Sequence, residues 1–378
     1  MRIAAFGFRS IPMRPGCAGA DKFASELLPR LVAQGHQVTG YNRLYPGEEP
    51  LASEFGGVRL KHFKTISRKG FDTLLHSFKA TVDIVRNDTA DIVHIQNGGN
   101  SIFGLVLRLF GKKVFISQDG VDWKRDKWPW YGKLYLYLSS YLTAHGPSQV
   151  IFDNVFIKQE FERRFRKQFE FIPFGSEVGG GAGDDAQVLA EFGLKAGEYF
   201  LFVGRFIPDK GLQYLVPAFE KVQTDKKLVL VGGSPNPSPF EAQIKGTQDP
   251  RVVFAGFLYG NKTHALMRNA YAYIQPSDVE GLSPVILENM GLGTPVICSD
   301  IKENQFVVGE HAVLFAKGSI PDCQAKLEYA LGSPDRLRSN AGKARARAET
   351  LFSWDAVTTA HVEVFNGRAS GYAESLPG

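Results

Sequence analysis

The sequence predicts an α/β protein of two doubly wound, mostly parallel sheets. Short apolar runs alternate with amphipathic stretches through both halves. A glycine-rich break interrupts them near the middle, and 378 residues suffice for two cores. Composition is that of an ordinary globular chain, 44% hydrophobic and 22% charged, which excludes wholesale disorder.

In the first half, strands are expected at 2–8, 37–41, 58–63, 91–96, 113–118, 149–154 and 170–173. Amphipathic runs at 20–33, 72–86 and 155–167 fall between them as helices. The stretch 174–185, six of its twelve residues glycine or alanine and without periodicity, reads as linker. A second series of strands follows at 199–203, 227–231, 251–255, 270–275, 295–299 and 312–315, and 353–365 looks helical. The expected organisation is a first domain over 1–172, a linker over 173–185, a second domain over 186–352, and a C-terminal helix and tail over 353–378. Two such domains joined by a hinge would face a central cleft at the carboxyl ends of their strands, where α/β sheets bind ligands.

Charge is uneven. Residues 1–172 hold 25 Lys and Arg against 16 Asp and Glu, and the remainder 19 against 23. A basic half attracts anionic partners such as a membrane face or a phosphorylated lipid. No recognition motif for nucleic acid accompanies it. Cys17, Cys298 and Cys323 have no metal-ligand spacing and cannot make a full disulfide framework, which fits a reducing compartment. The opening Met1–Phe8 run reads as a first buried strand rather than a signal peptide, and no segment reaches membrane-spanning length.

The most informative segment is 278–288, where Glu280 and Glu288 flank a strand-to-helix turn. Ser283 suits the N-cap and Pro284 the first helical position. Glu288 then lies among Val285, Ile286, Leu287 and Met290, where a carboxylate needs a partner. Two readings stand. A pair of sugar hydroxyls would satisfy it, with the helix N-terminus free for a phosphate. Alternatively Glu288 pairs with a basic residue and Glu280 is a solvated loop acid.

A second site follows the strand at 199–203. Gly204 ends it, Arg205 and Lys210 project from the turn, and a helix is expected near Gly211 with Asp209 as its cap. Two cations beside a helix N-terminus suit a diphosphate and could stabilise a leaving nucleoside diphosphate without a metal. A third, weaker element is the segment 15–22, which holds Gly19 and is followed by helix: it brings small residues and a helix N-terminus to the cleft from the opposite domain or, equally, is a plain tight turn.

Together these residues resemble the family-4 glycosyltransferases of GT-B fold. The resemblance rests on Gly204-Arg205-x4-Lys210-Gly211, Glu280-x7-Glu288, Gly291-Leu-Gly293-Thr294-Pro295-Val296-Ile297 and Phe352-Ser353-Trp354, in the family's order. Gly19 matches the second glycine of the family's N-terminal pair, and Ala18 replaces the first. The resemblance implies two Rossmann-like domains. It also implies donor diphosphate on Arg205 and Lys210, ribose hydroxyls on Glu288, and Glu280 near the donor sugar. The amides of Gly281, Leu282 and Ser283 would face sugar and phosphate, and the segment from Gly256 to Leu258 would flank the base. It further implies retention at the anomeric carbon, with no metal and no cofactor.

The segment Asp119-Gly-Val-Asp122-Trp123-Lys-Arg125-Asp-Lys-Trp128 and the opening Gly7-Phe-Arg9-Ser-Ile11-Pro12 resemble a subgroup described as rhamnosyltransferases of surface polysaccharide assembly. By that likeness Asp119 would orient the donor sugar, or equally brace the Trp-rich loop. Trp123, Trp128 and Trp130 would stack on an acceptor sugar or, the better reading, be buried in the core. The run 158–169, with Phe161, Phe165 and Phe169 opposite Arg163, Arg164, Arg166 and Lys167, reads as a helix covering the first core, ahead of a membrane helix. His94 and His145 read as structural.

The expected function is sugar transfer from a nucleoside-diphosphate donor to a lipid-linked glycan acceptor, in the cytoplasm or at the inner membrane face. A nucleotide-sugar epimerase of the same architecture and a non-catalytic scaffold are the rivals.

Overall fold

The computed structural model describes residues 1–14, 19–50, 52–68, 70–87, 90–118, 130–177, 184–234 and 238–372. The chain divides into two units, residues 1–174 with 354–378, and residues 175–353.

In unit 1 the sheet runs β3(Glu54–Phe55), β4(Val58–Lys64), β2(Gln37–Leu44), β1(Arg2–Phe6), β5(Ile92–Gln96), β6(Lys113–Gln118), β7(Gln149–Phe152) and β8(Glu170–Phe171). Every pairing is parallel except β3 with β4. Apolar residues on both faces explain the parallel sheet. Ala4, Phe6, Val93, Ile95, Val114 and Ile116 are buried on one face and Ile3, Ala5, Ile92, His94 and Phe115 on the other, because crossover helices cover each side. The short strand β3 was not expected from sequence. It arises from Gly56-Gly57, whose φ values of 55° and 79° make the turn whose twist suits a two-residue hairpin.

In unit 2 the order is β11(Val252–Gly256), β10(Lys227–Gly233), β9(Tyr199–Arg205), β12(Ala272–Gln275), β13(Val296–Ser299) and β14(Val313–Phe315), all parallel. The chain winds outward one way from β9 and then returns to start again at β12. The topological switch point therefore lies between these two strands, where sheets of this type bind ligands.

The α-helices among the described residues are α1(Gly19–Ala33), α2(Phe71–Asn87), α3(Ser101–Leu109), α4(Trp130–His145), α5(Val155–Phe165), α6(Asp185–Glu191), α7(Leu212–Glu220), α8(Pro239–Lys245), α9(Asn261–Asn269), α10(Pro284–Leu292), α11(Lys302–Val308), α12(Ile320–Gly332), α13(Pro334–Leu351) and α14(Trp354–Phe365). Three details differ from the sequence reading. The expected linker ends early, because Asp184 caps α6 through Gln187 N–H and Asp185 pairs with Arg268 at 2.6 Å. The helix α5 stops at Phe165, with Arg166 in the left-handed region (φ 53°). And α14 is not an appendage. It packs on α1 within unit 1 through Trp354 and His361, and on β6 through Phe365.

Trp130 corrects another expectation. Rather than lying in the core it is 76% exposed at the start of α4. The helix α5 does cover the core, with Phe161 and Phe169 buried against Phe152. His94 is buried in β5 and its Nε2 meets Ser117 Oγ at 2.8 Å, whereas His145 lies exposed at the end of α4 against the edge of Phe165.

Candidate functional site

Two loops of unit 2 meet at its switch point. The first leaves β9 after Arg205, makes a tight turn over Pro208–Lys210, and enters α7 through Gly211. Gly211 has φ 76°, and a Cβ there would lie 1.9 Å from the carbonyl oxygen of Pro276. Only glycine allows this approach. Asp209 is therefore not the cap expected for α7. Gly211 takes that position without a side-chain bond, and the carbonyl of Asp209 instead accepts from Asp278 N–H at 2.9 Å.

The second loop leaves β12 after Gln275 and enters α10 at Ser283, whose Oγ accepts from Ile286 N–H at 3.3 Å with Pro284 in the first turn. The two loops are joined by side chains as well. Tyr214 Oη donates to Asp278 Oδ2 at 3.0 Å, and Lys210 Nζ donates to Glu280 Oε1 at 2.6 Å.

Glu280 is the hub. Its side chain is 9% exposed, so it needs compensation for lost hydration. Oε1 accepts from Lys210, from Gln275 Nε2 at 2.9 Å and from Ser277 Oγ at 2.6 Å. Gln275 is oriented in turn: its Oε1 accepts from Tyr273 Oη at 2.7 Å and Ser283 Oγ at 2.9 Å. Among the described residues no bond reaches Glu280 Oε2. The solvated-acid reading of Glu280 does not describe this arrangement. The supporting residues Tyr214, Tyr273, Gln275, Ser277 and Asp278 were not singled out from sequence. A glutamine closing an otherwise apolar strand at 275 was the available signal.

Arg205 closes β9 with its side chain exposed, and its guanidinium has no ion-pair partner among the described residues. The two cations expected to act alike therefore differ: Lys210 is ion-paired and Arg205 is open. Gly204 packs under the Phe202 ring and its carbonyl lies where a Cβ of Gly232 would fall, so both strand ends are pinned close.

Glu288 lies on α10, and His264 Nε2 on α9 lies 3.9 Å from its Oε2, too far for a hydrogen bond. Gly281 is exposed and Leu282 half-buried before the buried Ser283. Gly256 (φ 69°) ends β11, followed by the exposed Phe257 and the half-buried Leu258, and the Phe257 ring borders Gly233 at the end of β10. All these residues belong to unit 2. Gly19 begins α1 in unit 1, and a Cβ there would meet nothing within 4 Å, so packing does not require glycine. Asp119, Trp123 and Trp128, with residues 15–18, lie outside the described residues. Among the described residues no three His, Cys, Asp or Glu side chains cluster in a way that could hold a metal ion.

The architecture is that of GT-B glycosyltransferases. Sucrose-phosphate synthase from Thermosynechococcus elongatus matches with a TM-score of 0.79 at 21% identity, over 97% of this chain and 98% of that one. Anabaena HepE in complex with UDP matches with a TM-score of 0.77 at 15% identity, over 97% of this chain and all of the other.

Within that fold, residues 197–332 match the family described as glycosyl transferases group 1, a span that holds Gly204, Arg205, Lys210, Gly256, Glu280 and Glu288. Among curated relatives, alpha-maltose-1-phosphate synthase of Mycolicibacterium smegmatis is 29% identical over 48% of this chain and 51% of its own length. O-antigen chain mannosyltransferase B of Escherichia coli is 24% identical over 47% and 48%. The chain spans about half the length of these two relatives.

Proposed function

We propose that the protein transfers a sugar from a nucleoside-diphosphate donor to a glycan acceptor. One observation carries this: at the switch point of unit 2 a buried carboxylate, Glu280, holds Lys210 in place while Arg205 stays open. A diphosphate bound there would meet both cations. Glu288 would take the ribose hydroxyls, the free Oε2 of Glu280 a sugar hydroxyl, and the amides of Gly281, Leu282 and Ser283 the phosphate at the start of α10. Phe257 would flank the base.

In the proposed chemistry the bond from the anomeric carbon to the phosphate oxygen breaks as the acceptor oxygen bonds to the same face. The acceptor proton passes to the departing phosphate. Configuration is retained, and Arg205 and Lys210 supply the neutralisation a metal would otherwise give. The proposed acceptor is a lipid-linked surface glycan and the proposed donor sugar rhamnose, on the likeness of 119–128 to polysaccharide rhamnosyltransferases. The proposed setting is the cytoplasm. An O-antigen mannosyltransferase among the relatives and a UDP complex among the structural matches support the reading.

Thermal unfolding against a panel of nucleoside diphosphates and their sugars tests it. A ligand at about a hundred times its Kd adds about 2.7 kcal/mol, a visible rise in Tm. One nucleotide should stand out, more so with its sugar attached. No shift across the panel would overturn the reading.

A further inference from the structure

Helix α4 is amphipathic the wrong way round for a soluble protein. Its inward face is small and polar: Ser139 Oγ donates to the carbonyl of Gly98 at 2.6 Å, and Thr143 Oγ1 meets Ser101 Oγ at 2.5 Å. Those residues must be small, because the turn at Gly98–Asn100 lies directly beneath them. Its outward face carries the bulk. Trp130, Tyr131, Leu134, Tyr137, Leu138 and Tyr141 recur at helical spacing, with Tyr131 61%, Leu134 50% and Leu138 56% exposed. The neighbouring α3 adds Ile102, Leu105 and Leu109 at the same kind of spacing, Leu109 being 79% exposed, and then Phe110. Adjacent apolar stripes of this extent mark an interaction surface.

Charge says what covers it. From residue 92 to 118 and from 130 to 152 there is no Asp or Glu at all. Lys113 on β6 is exposed, and α5 brings the exposed Arg163 and Arg164, whose guanidinium at 164 stacks over Tyr137 at 4.5 Å. Tryptophan and tyrosine above leucines, on two helices that carry no Asp or Glu and with cations beside them, is the composition of a face lying in a membrane interface. No described helix is long and apolar enough to cross a membrane, so such a face would rest on the bilayer.

We propose that the α3–α4 face docks on an anionic lipid bilayer. It is a different helix from α5, for which the sequence placed a membrane role second to covering the core. The proposal does not depend on the transfer chemistry above, since none of its residues belongs to the donor site.

The test is co-sedimentation of the full chain with vesicles of phosphatidylcholine alone or mixed with phosphatidylglycerol. Binding should require the anionic lipid and weaken with salt. Leu134→Glu with Leu138→Glu should reduce it about tenfold or more with Tm unchanged, because both side chains are exposed. Arg205→Ala should bind vesicles like the parent whether or not it transfers sugar, so a failure of one proposal is separable from a failure of the other. No sedimentation with anionic vesicles, or equal binding by the double variant, would overturn the proposal. So would a chain that is dimeric in solution and made monomeric by those substitutions without vesicle binding, since the face would then join two copies.

Discussion

Lys210 serves two partners at once: it neutralises Glu280 in the resting protein and is proposed to meet the donor diphosphate. Its removal would leave a nearly buried carboxylate with only Gln275 and Ser277. Lys210→Ala should lower kcat at saturating donor about a hundredfold, the scale of losing one preorganised donor to developing charge, and should also lower Tm. Arg205→Ala should lower kcat comparably with Tm unchanged, because the guanidinium has no partner to lose. Equal Tm losses in both variants would contradict this division. Gly211→Ala should destabilise by about 1–3 kcal/mol, since both its φ and the carbonyl of Pro276 exclude a Cβ; a melting curve checks it. At this scale the sequence was informative about identity and less so about partnership. Arg205, Lys210, Glu280, Glu288 and Ser283 stood out by spacing. That Lys210 and Glu280, 70 positions apart, share a bond depends on which strands adjoin, and spacing along the chain does not encode that.

At the scale of the element, α14 is held by aromatic contacts, with the Arg30 guanidinium over the Trp354 ring. Trp354 lies 5.8 Å from Phe23 and 5.1 Å from Phe174, and Phe365 lies 4.9 Å from Phe115. Phe365→Ala should cost about 3–5 kcal/mol, measured by denaturant unfolding. Two histidines sit in the same packing, ring centroids 5.8 Å apart. Burial pushes His94 down to about 3, helped by its neighbour, and His361 down to about 4. Both are neutral when folded and take up protons near pH 6.5 when unfolded. Stability is therefore full above about pH 6.5 and falls as pH drops toward 4. At pH 5 each histidine costs about 2 kcal/mol. His361→Phe should flatten the decline of Tm between pH 6.5 and 5; an unchanged slope would show that other groups carry it. The helix itself was legible from its periodicity. Its berth was not, because Phe23 and His94 stand more than 250 residues upstream of it.

For the whole molecule, the described core cluster of unit 2 shares no residue with the two of unit 1, so unfolding should not be two-state. Residues 175–353 expressed alone should melt cooperatively and still gain Tm from the preferred nucleotide, as the residues proposed for the donor site, Gly19 and Asp119 apart, are all within them. Both parallel sheets were legible because strands buried on two faces read as continuous apolar runs, from Tyr199–Phe202 to Ile92–Ile95. The hairpin at Gly56-Gly57 was missed although two glycines between short strands are its ordinary signature. Trp130 was misread as core, and the rest of the outward stripe of α4 was not singled out, because what turns it outward is the 98–100 turn on which the small residues Ser139 and Thr143 pack.

The chain leaves unit 1 after Phe174 and returns at Trp354, the two passages lying side by side where Ser176 N–H meets the carbonyl of Phe352 at 2.6 Å. During synthesis this imposes an order. Unit 1 emerges first with its α14 berth vacant, and at roughly 5–20 residues per second the helix that fills it follows some 10–40 s later. For that interval Phe23, Phe115 and Phe174 are uncovered on a nascent chain, while unit 2 can already close on itself. The first unit to emerge is thus the last to be completed.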